Sequence, residues 1–270
     1  ILLITFYKKQ SIVIIYLKII FFIYTMKVFN KATSIILFPI YYIVHHNIFF
    51  GFIHKKFIKK FYYKKFSFNL NNYDIPLANY ASFLFKTYEY NDKKLVEKNI
   101  TDKNKCIIIG GGLGFIATIT YHLSKNKVLV LEINKNIIDN LKENLEINNC
   151  EFEIIENNLT LDKKSDYENF YLNKDFLASS KYLKTQNLQK IKNITKDEII
   201  DFNKYNTLII DGEGIEEHFI NNLDKIPNIK YLIFEFHHHI FNANQKNNLF
   251  AILKKKDFKL VSKCFNSYYF

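Results

Sequence analysis

The residues of this chain best suited to chemistry begin with three glycines and a carboxylate. In IIIGGGLGF, Gly110, Gly112 and Gly114 follow a short apolar run and precede a helical pattern. Glycines at such a corner allow a tight turn and a close approach of the backbone, and the helix N-terminus offers free N–H groups to a carboxylate or phosphate. A dinucleotide loop of the form GxGxxG would need glycine at 115; Phe115 stands there, so the loop is GxGxG. Glu132 ends the next apolar run, where an acid can accept both hydroxyls of a ribose. Loop and acid in a strand–turn–helix context point to a nucleoside cofactor. Taken alone, Glu132 is only a strand-end carboxylate.

A second set of reactive groups lies further along. Asp211 and Glu213 end one apolar run, and Glu235 and His237 end the next. The competing role for Asp211 and Glu213 is capping, because acids at the N-terminus of the helix from Ile215 stabilise its dipole. His237-His238-His239 raises the question of a metal. On a strand, adjacent side chains point to opposite faces, so the three cannot share one ion. No cysteine or second cluster at ligand spacing supports His237 and His239, and no metal is expected. His122 and His218 are single residues on helices, read as packing or solvent residues. Cys106, Cys150 and Cys264 are far apart and odd in number, which excludes a disulfide framework and suits a reducing, cytoplasmic setting.

The elements that must position these groups alternate. Cys106–Ile109, Lys127–Glu132, Phe152–Ile155, Thr207–Asp211 and Tyr231–Phe236 read as strands, with a closing pair at Phe258–Lys263 and Ser267–Phe270. Helical spacing covers Phe115–Ser124, Asn136–Asn148, about Ile215–Leu223 and Gln245–Lys256. The pattern predicts an α/β fold with a doubly wound, mostly parallel seven-stranded sheet, its ligands outside the carboxyl ends of the strands. The polar stretch between Leu159 and Asn206 is assigned to no single element and is expected to pack over the ligand crevice.

Charge divides the chain. The 270 residues carry a formal charge of +12, and every basic residue is lysine. Ile1–Tyr73 holds eleven lysines and no acid, whereas 74–270 is nearly neutral. Residues 1–73 are therefore read as a basic, apolar extension and 74–270 as the catalytic domain. The charge excess belongs to the extension, and the arginine fork that reads phosphates and guanines is absent, so no nucleic-acid partner is expected. Apolar runs cover Ser11–Thr25, interrupted by Lys18, and Ala32–Ile53, which only just reaches the length of a membrane span. Behind them, HKKFIKKFYYKKF sets Lys55, Lys56, Lys59 and Lys60 at i,i+4 with Lys64 and Lys65 following, the pattern of a basic helix on anionic lipid at the inner face of a membrane. The alternative is a basic helix packed on the catalytic domain. The chain opens on Ile and its one methionine is Met26, so residues 1–25 are a candidate for upstream sequence. Nothing resembles a secretory signal.

GGGLGF, VLEIN, NLEINNC, and above all IIDGEGIEE followed by IFEFH resemble the FkbM-like S-adenosylmethionine-dependent methyltransferases. The resemblance runs from about Ile75 to the C-terminus and includes the IPLANYASFLFKTYEY lead-in and NITKDEIIDF. It implies a Rossmann-like methyltransferase fold with S-adenosyl-L-methionine as cofactor. Gly110, Gly112 and Gly114 would then line its methionine and ribose, Glu132 would bind the ribose hydroxyls, Asn157 and Asn158 would border the adenine, and Tyr88 and Glu89 would close the methionine end. The family's strand acid, two residues before the first loop glycine, is Ile108 here.

Methyl transfer from a sulfonium needs an aligned nucleophile, and an alcohol must also lose its proton. Asp211 is the expected acceptor or positioner of the hydroxyl, with His237 as rival base and Glu213 beside them. Enzymes that methylate amino groups commonly carry an Asn/Asp-Pro-Pro-aromatic motif after the fourth strand. DGEG replaces it here, which favours oxygen. The expected acceptor is a small molecule or glycan: a sugar, a lipid-linked sugar or a secondary metabolite. The alternative function is a membrane-associated nucleoside-binding module of the same fold whose catalysis has lapsed.

Overall fold

A computed structural model describes residues 51–52, 55–56, 59–70, 75, 77–162, 165–171, 188–212, 214–238 and 240–270. The expectations for residues 1–50, for Glu213 and for His239 lie outside the described residues.

The strands are β1 (Lys60–Tyr63), β2 (Phe66–Asn69), β3 (Cys106–Ile109), β4 (Val128–Leu131), β5 (Phe152–Ile155), β6 (Asn158–Leu159), β7 (Tyr167–Tyr171), β8 (Leu188–Ile194), β9 (Thr207–Ile210), β10 (Tyr231–Glu235), β11 (Ser262–Cys264) and β12 (Ser267–Tyr269). The helices are α1 (Leu77–Phe85), α2 (Tyr90–Asn99), α3 (Phe115–Ser124), α4 (Lys135–Ile147), α5 (Glu216–Asn221) and α6 (Ala243–Lys255). Seven strands form the central sheet in the order β11-β12-β10-β9-β3-β4-β5. The run β10-β9-β3-β4-β5 is parallel, and β12 inserts antiparallel between β10 and β11. This is the mostly parallel, doubly wound, seven-stranded sheet that the sequence implies. From β3 the chain winds outward to β4 and β5, then crosses back to β9 on the other side of β3. That reversal leaves a crevice at the carboxyl ends of β3 and β9.

Burial follows from strand alternation. Ile108, Val130, Ile209 and Ile233 face one core with α1 to α4. Ile107, Leu129, Leu208 and Leu232 face the other with α5 and α6. With helices on both faces, the strands are apolar throughout rather than alternating.

Two regions depart from expectation. From Lys60 the lysine-rich segment is not a helix but an antiparallel hairpin, with Phe61 opposite Phe68 and the turn at Lys64-Lys65. Phe66-Ser67-Phe68-Asn69 alternates apolar and polar residues, a period-two signal that outweighs the i,i+4 lysines. Phe61 and Phe68 pack tilted and edge-on against Phe115 at centroid distances of 5.5 and 5.3 Å. Lys64 pairs with Glu97 at 2.6 Å, and Lys55 lies over the Tyr80 ring, so the segment packs on α1 and α2. No helix among the described residues is long and apolar enough to cross a membrane. The outer edge of β2 is bound by three asparagines one turn apart on and just beyond α4. The Ser67 and Asn69 N–H groups donate to Asn148 and Asn144, while Asn140 and Asn148 donate to the Asn69 and Ser67 carbonyls. The second departure lies in the polar stretch after Leu159, where a small sheet forms in the order β6-β8-β7.

Candidate functional site

The crevice is built by backbone pairing that continues past the strand ends. The Gly110 N–H donates to the Leu131 carbonyl, the Asp211 N–H to Ile109 and the Glu132 N–H to Ile155. The glycine loop, Glu132 and Asp211 are thereby fixed side by side. At Gly110 φ is +89°, and a Cβ there would stand 2.0 Å from the Asp211 carbonyl oxygen, so only glycine permits the two loops to touch. Gly112 has φ +50°, and beside it stand Glu89 Oε1 and the Tyr88 hydroxyl, 3.5 and 3.6 Å from where a Cβ would be. Glu132 is 7% exposed. Its carboxylate accepts the Gly112 N–H at 3.1 Å and the Asn134 N–H at 2.8 Å. Burial raises its pKa, and those N–H groups hold it part of the way back.

A cleft is lined by Glu89, Gly110, Gly112, Glu132, Asn157, Asn158 and Asp211 together. Gly114 departs from its expected role. It caps α3 at φ +81°, and a Cβ there would press Leu141 at 3.1 Å, so it serves helix packing rather than the cleft. The Asn158 amide donates to Asn193 at 2.7 Å and Glu168 at 3.2 Å, which commits it to the small sheet. Ile108 is buried in the core, and the carboxylate beside Gly112 comes instead from Glu89, whose own backbone is left-handed at φ +44°. Burial, followed by the charge of Asp211, raises the Glu89 pKa to about 8. The Tyr88 hydroxyl is buried without a hydrogen-bond partner among the described residues. Such an orphan is satisfied by a polar ligand group, so these residues fit a cofactor with a hydrogen-bonding end.

Behind Asp211 the second set of groups converges. His237 lies just beyond β10, 8% exposed, with Nε2 3.3 Å from Asp211 Oδ1 and Nδ1 3.1 Å from Glu216 Oε1. Burial disfavours the charged ring, but the hydrogen bonds and charges of Asp211 and Glu216 overcome it and push the pKa up to about 12. The imidazole therefore holds its proton at neutral pH, a poor state for the base expected of it. Glu216 is fully buried and accepts the Gly214 N–H at 2.9 Å. Sequence reasoning gave Glu216 no role, although it sits in the quoted DGEGIEE. Asp92 on α2 was not singled out either. Its carboxyl is buried, and its pKa is raised by that burial and by the charges of Asp211 and Glu235.

A second cavity of about 340 Å³ adjoins the first through Asn158, Phe170 and Gly212. Amides, hydroxyls and carboxylates line it, among them Thr160, Ser165, Asn193, His218 and Asn221.

No protein-family model and no curated protein matches the sequence. Among solved structures, a SAM-dependent methyltransferase from Aquifex aeolicus is similar at 12% identity, covering 67% of this chain and 88% of that one with a TM-score of 0.40. An rRNA methylase from Streptococcus thermophilus has 10% identity, 66% and 90% coverage and a TM-score of 0.37. The Pyrococcus abyssi tRNA (uracil-54, C5)-methyltransferase in complex with S-adenosyl-L-homocysteine has 14% identity, 65% and 33% coverage and a TM-score of 0.36. Enzymes named for rRNA and tRNA stand among these neighbours, which overturns the exclusion of nucleic acid drawn from the missing arginines and the uneven charge.

Proposed function

We propose that this chain transfers a methyl group from S-adenosyl-L-methionine to a hydroxyl oxygen. One observation carries the reading: the glycine loop with its ribose-binding acid and the Asp211–His237 pair meet at one crevice, where the Gly110 and Asp211 backbones touch. The cofactor supplies a methyl group already activated on a sulfonium. The protein's task is to bind, align and accept a proton. Glu132 retains lone pairs beyond its two N–H donors and takes the ribose hydroxyls. Tyr88 and Glu89 face the methionine end beside Gly112, and Asn157 borders the base. Asp211, half-exposed at the crevice and oriented by His237 Nε2, receives the proton of the acceptor hydroxyl. As the carbon–oxygen bond forms, the carbon–sulfur bond breaks.

The resemblance favours a sugar, lipid-linked sugar or secondary metabolite as the acceptor. The adjoining cavity, lined by amides and hydroxyls, supports a polyhydroxylated one.

Isothermal titration of the full chain with S-adenosylmethionine and S-adenosylhomocysteine tests the cofactor. Micromolar binding that Glu132→Ala weakens at least about tenfold, roughly 1.4 kcal/mol, is expected. A folded chain that binds neither ligand would leave only the lapsed nucleoside-binding fold. An acceptor panel of sugars and RNA, read by methyl-group position, then decides between oxygen, nitrogen and carbon.

A further inference from the structure

Asp211, Glu235 and His237 each present one ligand atom, and these atoms all lie within 4.8 Å of one another. The fold dictates their convergence. Ile210 and Phe234 are in register on adjacent parallel strands, so the next residues, Asp211 and Glu235, stand side by side at the strand ends. His237 arrives two residues later, after the strand has ended, which frees its ring from strand alternation. The objection drawn from three consecutive histidines therefore does not apply, since the companions of His237 are distant in sequence.

The imidazole is also held as a ligand would be. Glu216, fully buried and anchored by the Gly214 N–H, takes the Nδ1 side and turns Nε2 toward Asp211. A metal-bound histidine almost always gives its other N–H to a carboxylate or carbonyl in this way. An independent sign of a missing cation lies behind the cluster. Asp92, 3% exposed, has Oδ1 without a hydrogen-bond partner among the described residues. A buried polar oxygen without a partner calls for one, and the water shell of a bound cation supplies it.

We propose that Asp211, Glu235 and His237 form a divalent-cation site of the Mn²⁺ or Mg²⁺ class, with Glu216 as the positioning residue. Two carboxylates with one imidazole and no thiol suit a hard, octahedral ion. Three protein ligands leave positions for water or for neighbouring oxygens of the acceptor, and a hydroxyl bound there loses its proton more readily. The ion takes the place of the proton on Nε2, and Asp211 keeps a second oxygen facing the crevice. The role in catalysis rests on the methyltransferase reading; ion binding does not.

The test is electron paramagnetic resonance of Mn²⁺ added to the full chain freed of metal by chelation, without cofactor or acceptor. One sub-millimolar site is expected, displaced by excess Mg²⁺, with electron spin-echo modulation from a single imidazole nitrogen. His237→Gln and Glu235→Gln should each weaken it by about 10-fold or more, and Glu216→Gln by about 10–100-fold. Circular dichroism establishes that each variant is folded, and the spin-echo spectrum of the unaltered chain decides the ligand even if a variant is not. Absence of a sub-millimolar site, or a site without nitrogen modulation, would overturn the proposal and leave His237 as a protonated bridge between two carboxylates. Titration of the same samples with S-adenosylmethionine reports the cofactor cleft separately, so either reading can fail alone.

Discussion

The two sides of the crevice solve different electrostatic problems. On the β3–β4 side the one carboxylate, Glu132, is answered by backbone N–H groups from Gly112 and Asn134. On the β9–β10 side Asp211, Glu216, Glu235 and His237 answer one another, with Glu89 and Asp92 pressing behind them. The first side is pre-paired and needs only a neutral, hydroxyl-bearing ligand. The second gathers several carboxylates round one imidazole, and proton affinities there are displaced from their ordinary values.

The largest effect is expected at the seam. Gly110→Ala forces a left-handed alanine against the Asp211 carbonyl, so both sides should fail together. A loss of about 3 kcal/mol or more in stability, read by chemical denaturation, should accompany loss of cofactor binding. A variant that kept both would mean that the two loops do not touch. Glu132→Ala separates the sides instead. Cofactor affinity should fall about tenfold, roughly 1.4 kcal/mol, while Mn²⁺ affinity remains unchanged. Equal loss of both would erase the distinction.

A pH series sharpens the contrast further. Glu89 holds its proton up to about pH 8 in the folded chain against 4.5 in its ordinary state. The folded state thus binds more protons across that window, and stability falls as the pH rises through it. The charges of Asp211 and Glu235 act in the same direction as the burial. Glu89→Gln should flatten the slope in urea midpoints measured across the window; an unchanged slope would remove Glu89 from the charged side. The smallest effect belongs far from the crevice. The Lys64–Glu97 pair is solvent-exposed on the lysine side, and Lys64→Ala should cost no more than about 0.5 kcal/mol.

The two sides were also unequally legible in the sequence. The glycine-loop side is contiguous: Gly110, Gly112 and Glu132 are read from a loop and the next strand end, and the apolar runs that carry them are the strands observed. Gly114 reads alike for two roles, because the same residue type serves a close approach to a ligand and the close approach of two helices seen here. The charged side is assembled from residues 89 to 237, and only the register of β9 with β10 makes neighbours of Asp211 and Glu235. No spacing along the chain encodes that pairing. Glu216 was visible in DGEGIEE, but its role depends on burial and on the position of a histidine twenty-one residues away. From Lys60 the lysine-rich segment misled for another reason: charge spacing suggested a helix, as is found at Lys55 and Lys56, while the alternation of Phe66 and Phe68 with Ser67 and Asn69 already described a strand.

The asparagines that bind β2 have a consequence for how copies of this protein meet. A two-stranded ribbon normally leaves an open rim of N–H and C=O groups that can recruit a strand from another molecule. Here the rim at Ser67 and Asn69 is occupied by side-chain amides from one helical face, which present a donor and an acceptor just as a neighbouring strand would. The helix acts as a false strand, and at these residues an aromatic-rich hairpin offers no template for fibrous growth.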